Sequence, residues 1–177
     1  MNEGARGVKL HPMAQGFKPS HRRLEEVYEY CSDVRFPVVF HCGGISDKRL
    51  NEYSDIKMIL PIIEKFSDMP VILAHMAGVN AREAVGLSKN YGNIYFDTSI
   101  IITGYPPIAE VNKAVWTDDD EVADVINSIG AHRILFGSDY PWGSPSHDIQ
   151  RLMKMRLSDE QKRLVLGENA IRVFGLL

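Results

Sequence analysis

Five short apolar runs punctuate the chain. They are residues 7–12 (GVKLHP), 36–44 (FPVVFHCGG), 69–78 (MPVILAHMAG), 92–100 (GNIYFDTSI) and 132–141 (HRILFGSDYP). Each is rich in Val, Ile, Leu or Phe and stops at polar, Gly or Pro residues. The apolar positions run on continuously instead of alternating, which is the pattern of strands buried on both faces of a parallel sheet.

Helical periodicity fills the intervals. Residues 20–34 place Leu24, Val27, Tyr28 and Cys31 at helical spacing, with Ser20 or His21 near the start. Residues 60–68 put Pro61 where a first helical turn tolerates it. Residues 80–92 begin on a good cap, Asn80, and end at Gly92. Residues 117–130 are acidic in the first turn, which suits the helix dipole, and end at Gly130. Ser158 with Gln161 three residues on forms a capping-box pattern, and Gly167 is expected to separate two short helices. Strands alternating with helices predict βα units and a mostly parallel α/β sheet. Residues 101–115 are the least regular and read as a mobile loop after the fourth strand.

The 177 residues suffice for a single domain with a sizeable core. Net charge is -3 and no basic stripe stands out, so the reading includes no nucleic-acid partner. No apolar run approaches the ~20 residues that span a membrane, and residues 1–10 lack a signal-type apolar core. Cys31 and Cys42 form no C-x-x-C pair and read as reduced thiols of a cytoplasmic protein.

The ends of the runs carry the chemistry. They hold His11 (with Lys9 inside its strand), His41, His75 and Asp139, while Asp97 lies in the remaining strand. Parallel α/β folds gather such strand-end residues at one face. Two imidazoles and a carboxylate suit Zn²⁺ or a similar ion, which would make hydroxide available near neutral pH. A single strand-end His is more often structural, and an Asp there often caps a helix. Recurrence at three strand ends tips the reading toward a site.

Smaller candidates are weighed likewise. The glycines of HCGG serve either a substrate's approach or a tight turn. Cys42 has no base partner and is discounted as a nucleophile. Tyr140 and Trp142 flank Asp139, either walling a pocket or packing the loop. Arg82 is a candidate contact for an anionic substrate, against the commoner role of a solvated Arg. Asp97 reads first as structural, with orientation of a neighbour as its functional alternative. His21, His132 and His147 read as surface or capping residues, His147 being the strongest exception.

The runs GVKLHP, VVFHCGG, VILAHMAG, YFDTS and ILFGSDYPWGSP, with the closing GENAIRVFGL, resemble the amidohydrolase-related family in that family's order. AHMAG and FGSDYPW are the most specific. The resemblance implies a (β/α)₈ TIM barrel with a divalent metal, Zn²⁺ first and Mn²⁺ or Fe²⁺ as alternatives, at the C-terminal face. It implies that His41 and Asp139 are metal ligands, with Asp139 also the proton acceptor, and that His75 either binds a second metal or contacts the substrate and water. Lys9, His11, Trp142 and Arg82 become candidate substrate contacts. A carboxylated Lys9 is the less favoured form of that residue.

One family feature has no counterpart. The first barrel strand carries a His-x-His pair, and no H-x-H occurs in the chain. Matching the runs in order makes them about strands 4 to 8. The expectation is therefore residues 1–177 as one domain, the C-terminal portion of the barrel and incomplete at its N-terminus. Two open sheet edges favour pairing with another copy, and metal binding is expected to be weak. The implied activity is hydrolysis of an amide, ester or lactone by a metal-activated water. A non-oxidative decarboxylase of an aromatic or unsaturated acid is the alternative, and an inactive portion of a barrel is a third.

Overall fold

The computed structural model of the protein describes residues 4–43, 51–101 and 118–176. The strands are β1 (Val8–Leu10), β2 (Val38–Phe40), β3 (Val71–Leu73), β4 (Ile94–Asp97) and β5 (Ile134–Leu135). The α-helices are α1 (Pro12–Gln15), α2 (Glu25–Asp33), α3 (Ile56–Lys65), α4 (Ala81–Ser88), α5 (Asp119–Ile129), α6 (Pro145–Lys154), α7 (Asp159–Arg163) and α8 (Asn169–Phe174). All strand neighbours pair in parallel in the order β1-β2-β3-β4-β5. The expected βα alternation is thus the observed topology. Among the described residues, no helix is long and apolar enough to cross a membrane.

The period of two along each strand decides which side chains meet the helices. Val38 and Phe40, Val71 and Leu73, Ile94 and Phe96, and Ile134 face one layer. They pack with Tyr28, Ile59, Ile63, Val122, Ile126 and Leu152 from the helices. The opposite face is covered by α8: Ile72 and Leu135 are buried against Val173, with Val39, Tyr95, Ala170 and Phe174 partly buried around them. Burial on both faces therefore holds fully for the central β3. In β2 and β4 the second face is only half-buried, and Lys9 on β1 is exposed.

The acidic start of α5 and its end at Gly130 are as expected, with Asp118 accepting from the Glu121 amide. Both halves of the Ser158–Gln161 capping box are present. Three expectations change. Helix α3 starts earlier, at a cap formed by Asp55, so Pro61 lies inside it. The one lost backbone hydrogen bond is tolerated because Ile59, Ile62 and Ile63 are buried on that helix. Asn80 occupies the cap position of α4, but its side chain makes no capping bond. Gly167 sits in a wider helical turn, Leu164–Glu168, that joins α7 to α8, so no break occurs there. The irregular stretch 101–115 falls, apart from Ile101, outside the described residues.

Candidate functional site

The sheet register builds the site. Leu10, Phe40, Leu73 and Phe96 form one row across β1 to β4. The next residues on β1 and β2 are His11 and His41. Neighbouring strands lie about 4.8 Å apart, so equivalent positions present their rings to each other. The two imidazoles stack, with centroids 3.7 Å apart and planes 11° from parallel. His11 is also the cap of α1, where its Nδ1 accepts from the Ala14 amide at 3.2 Å.

His75 lies two positions beyond the row, and the chain reverses to bring it back. His75, Met76 and Ala77 have φ of 57°, 48° and 65°, and Gly78 has 54°. Left-handed backbone at three non-glycine residues is costly. It is held by the burial of Met76 and Ala77, at 0% and 1% exposure. Gly78 is required there, since a Cβ would lie 2.6 Å from the Gly43 Cα. Gly43 itself has φ of 125°, which fits the turn reading of HCGG, while Gly44 lies outside the described residues.

The result is an imidazole pair. His75 Nε2 stands 3.1 Å from His41 Nδ1, the rings edge to face. The other side of His75 is held from β4. Asp97, which follows Phe96, accepts the His75 backbone N–H at 2.9 Å and the Ser99 N–H at 3.1 Å on the same Oδ1. The Ser99 hydroxyl also bonds this oxygen and lies 2.8 Å from His75 Nδ1. Asp97 thus orients a neighbour, the functional alternative weighed for it. Ser99 was not a sequence candidate, and only its place two residues after Asp97 in FDTS marks it. Gly137 backs this contact: a Cβ there would lie 3.2 Å from the Ser99 Cβ.

Burial, with the charges of His75, His11 and Lys9, pushes the pKa of His41 down to about 2, so its ring is neutral. Burial and the Lys9 charge also lower His11, which feels the Asp139 charge in the opposite sense. Burial pushes the Cys42 thiol up to about 12, which removes it as a nucleophile near neutral pH.

Asp139 is half-buried, in left-handed backbone with φ of 56°. Its carbonyl accepts from the Trp142 amide at 2.8 Å, closing a tight loop. Tyr140 and Trp142 are 78% and 56% exposed. Lys9 is exposed on β1. Arg82, in the first turn of α4, pairs with Glu121 of α5 at 3.3 Å. His21 caps a short turn, Arg22–Leu24, and His147 lies 3.6 Å from Asp148 on α6.

The structure therefore brings His11, His41, His75, Asp97 and Ser99 together. Among the described residues, no group of three or more His, Cys, Asp or Glu side chains is placed to hold a metal ion. The set His41, His75 and Asp139 does not close on one point. A divalent metal still fits the pair in kind, because a bound ion would take the place of the proton held between the two imidazole nitrogens. The described residues supply a partial shell.

Residues 1–176 match the family model described as Amidohydrolase. The chain belongs to the amidohydrolase family. Solved structures agree on the fold. An uncharacterised TIM-barrel protein of Bordetella bronchiseptica superimposes with a TM-score of 0.77 at 23% identity, over 97% of this chain and 58% of that one. A 5-carboxyvanillate decarboxylase from Sphingomonas paucimobilis gives 0.67 at 14%, over 96% and 58%. A dihydroxybenzoic acid decarboxylase from Polaromonas sp. JS666, with bound manganese and the inhibitor 2-nitroresorcinol, gives 0.63 at 18%, over 90% and 56%. The amidohydrolase-family chain thus spans less than two thirds of these structures' lengths, and its five-stranded sheet is part of a TIM barrel. Members of the superfamily use divalent metals. No match is found among curated proteins.

Proposed function

We propose that the chain carries part of the active site of a metal-dependent hydrolase acting on an amide, ester or lactone. The observation that carries this reading is the His41–His75 pair, two imidazole nitrogens 3.1 Å apart at adjacent strand ends. These two residues would hold a divalent ion, Zn²⁺ first and Mn²⁺ or Fe²⁺ as alternatives, with Asp139 the candidate third ligand. When bound, such an ion supplies a water acidic enough to give hydroxide near pH 7. The Asp139 carboxylate takes the proton of the attacking water. As the alternative to ligation, His75, its ring fixed by Ser99 and Asp97, turns Nε2 to water or the substrate carbonyl. His11 shields one face of His41. Lys9, His11, Trp142 and Arg82 are the proposed substrate contacts. The free, buried Cys31 and Cys42 support a cytoplasmic setting.

Decarboxylation is the second reading, favoured by the two decarboxylases among the similar structures. The protein, loaded with Zn²⁺ or Mn²⁺, is assayed with esters, lactones and amides for acid release and with hydroxybenzoates for CO₂ release. Acid release lost in Asp139→Asn supports the first reading. CO₂ release alone replaces it with the second, and turnover unchanged in His41→Ala contradicts both.

A further inference from the structure

We infer that Ser99 and Asp97 are positioning residues that lock His75 into the tautomer with its proton on Nδ1 and its lone pair on Nε2. The inference rests on the reading of His75 as part of the site, and it follows from counting donors. Ser99 Oγ has one hydrogen. Its neighbour Asp97 Oδ1 is a carboxylate oxygen and only accepts, so the hydroxyl donates there. Ser99 Oγ is then left to accept, and it lies 2.8 Å from His75 Nδ1. A second acceptor, the Ser99 carbonyl, lies 3.2 Å from the same nitrogen and cannot donate at all. Two acceptors facing Nδ1 require a proton on it.

In that tautomer the Nε2 lone pair faces His41 Nδ1, 3.1 Å away. His41 then completes the contact by donating from Nδ1. The donors run one way, from His41 to His75 to Ser99 to Asp97. Burial keeps the arrangement dry: Ser99 and His75 are 5% and 6% exposed. The carboxylate cannot drift, because it also accepts two backbone amides. Gly137 makes space for Ser99 to sit there, since a Cβ at that position would lie 3.2 Å from the Ser99 Cβ. The lock fixes which nitrogen of His75 faces the site, the atom that would ligate a metal or take a proton.

Long-range ¹H–¹⁵N correlation spectra of the histidine rings test this, with His75 assigned by His75→Gln. The wild-type protein shows a protonated-type shift at Nδ1 and a lone-pair-type shift at Nε2, as a single tautomer. Ser99→Ala removes one of the two acceptors and keeps the carbonyl, so an Nε2-protonated signal appears beside the wild-type one, and Ser99→Thr retains the single tautomer. A wild-type His75 protonated on Nε2 overturns the inference even if no variant folds. So does a Ser99→Ala spectrum identical to wild type. The readout is a ring-nitrogen shift, so it stands or falls independently of whether hydrolysis is detected.

Discussion

His11 and His41 occupy equivalent positions on adjacent parallel strands, and their rings stack 3.7 Å apart. The stack makes His11 a shelf for His41, while the polar contact of His41 Nδ1 goes to His75. The two residues therefore differ in what their loss removes. His41→Ala is expected to abolish zinc binding at the pair. His11→Ala is expected to weaken it by about 10-fold, the scale of a neighbour that orients a ligand. Competition with a chromophoric chelator measures both.

Stability should fall in acid. His41 has its folded pKa pushed down to about 2, against 6.5 in the unfolded chain. Below pH 6.5 the unfolded chain binds a proton that the folded chain refuses, so the folded state loses ground as pH drops toward 2. His11 shifts in the same direction and adds to the effect. Between pH 7 and pH 5 the expected loss is on the order of 1–2 kcal/mol. Urea midpoints across this range check it; stability that is flat or rises toward pH 5 would refute a neutral, buried His41.

Gly78→Ala should destabilise strongly. Its φ of 54° disfavours any side chain, and the new Cβ would meet Gly43 backbone at 2.6 Å. Strain of this kind costs about 1–3 kcal/mol before the clash is counted. Gly86→Ala, where nothing lies within 4 Å of the added Cβ, is the helical control and should be neutral or slightly stabilising. Thermal melts of the two variants should diverge.

Asp139→Asn keeps the size of the side chain and removes its basicity. In the metal-loaded protein, hydrolysis should drop by about 10²-fold or more. The far-UV spectrum should be unchanged, because the loop closes through the Asp139 backbone carbonyl and not its carboxylate.

The sequence made the strands legible because buried apolar runs and their polar stops are local signals. His11, His41, His75 and Asp139 were legible for the same reason, since each sits where such a run ends. The pairing of His75 with His41 was not. It depends on left-handed backbone at His75, Met76 and Ala77, a conformation that propensity disfavours and burial enforces. Ser99 was invisible because a serine after a strand carries no signal of its own until β4 is set beside β3. The early start of α3 was hidden by Pro61, which reads as a helix beginning but is carried inside the helix by its buried neighbours.

The central claim is that His41 and His75 form the nucleus of a metal site whose described shell is partial. Zinc titration of the purified protein, by calorimetry and by metal content after dialysis, tests it most directly. Weak binding of a single ion is expected, largely lost on dialysis and absent in His41→Ala/His75→Ala. Tight, stoichiometric zinc that survives in that double variant would contradict it.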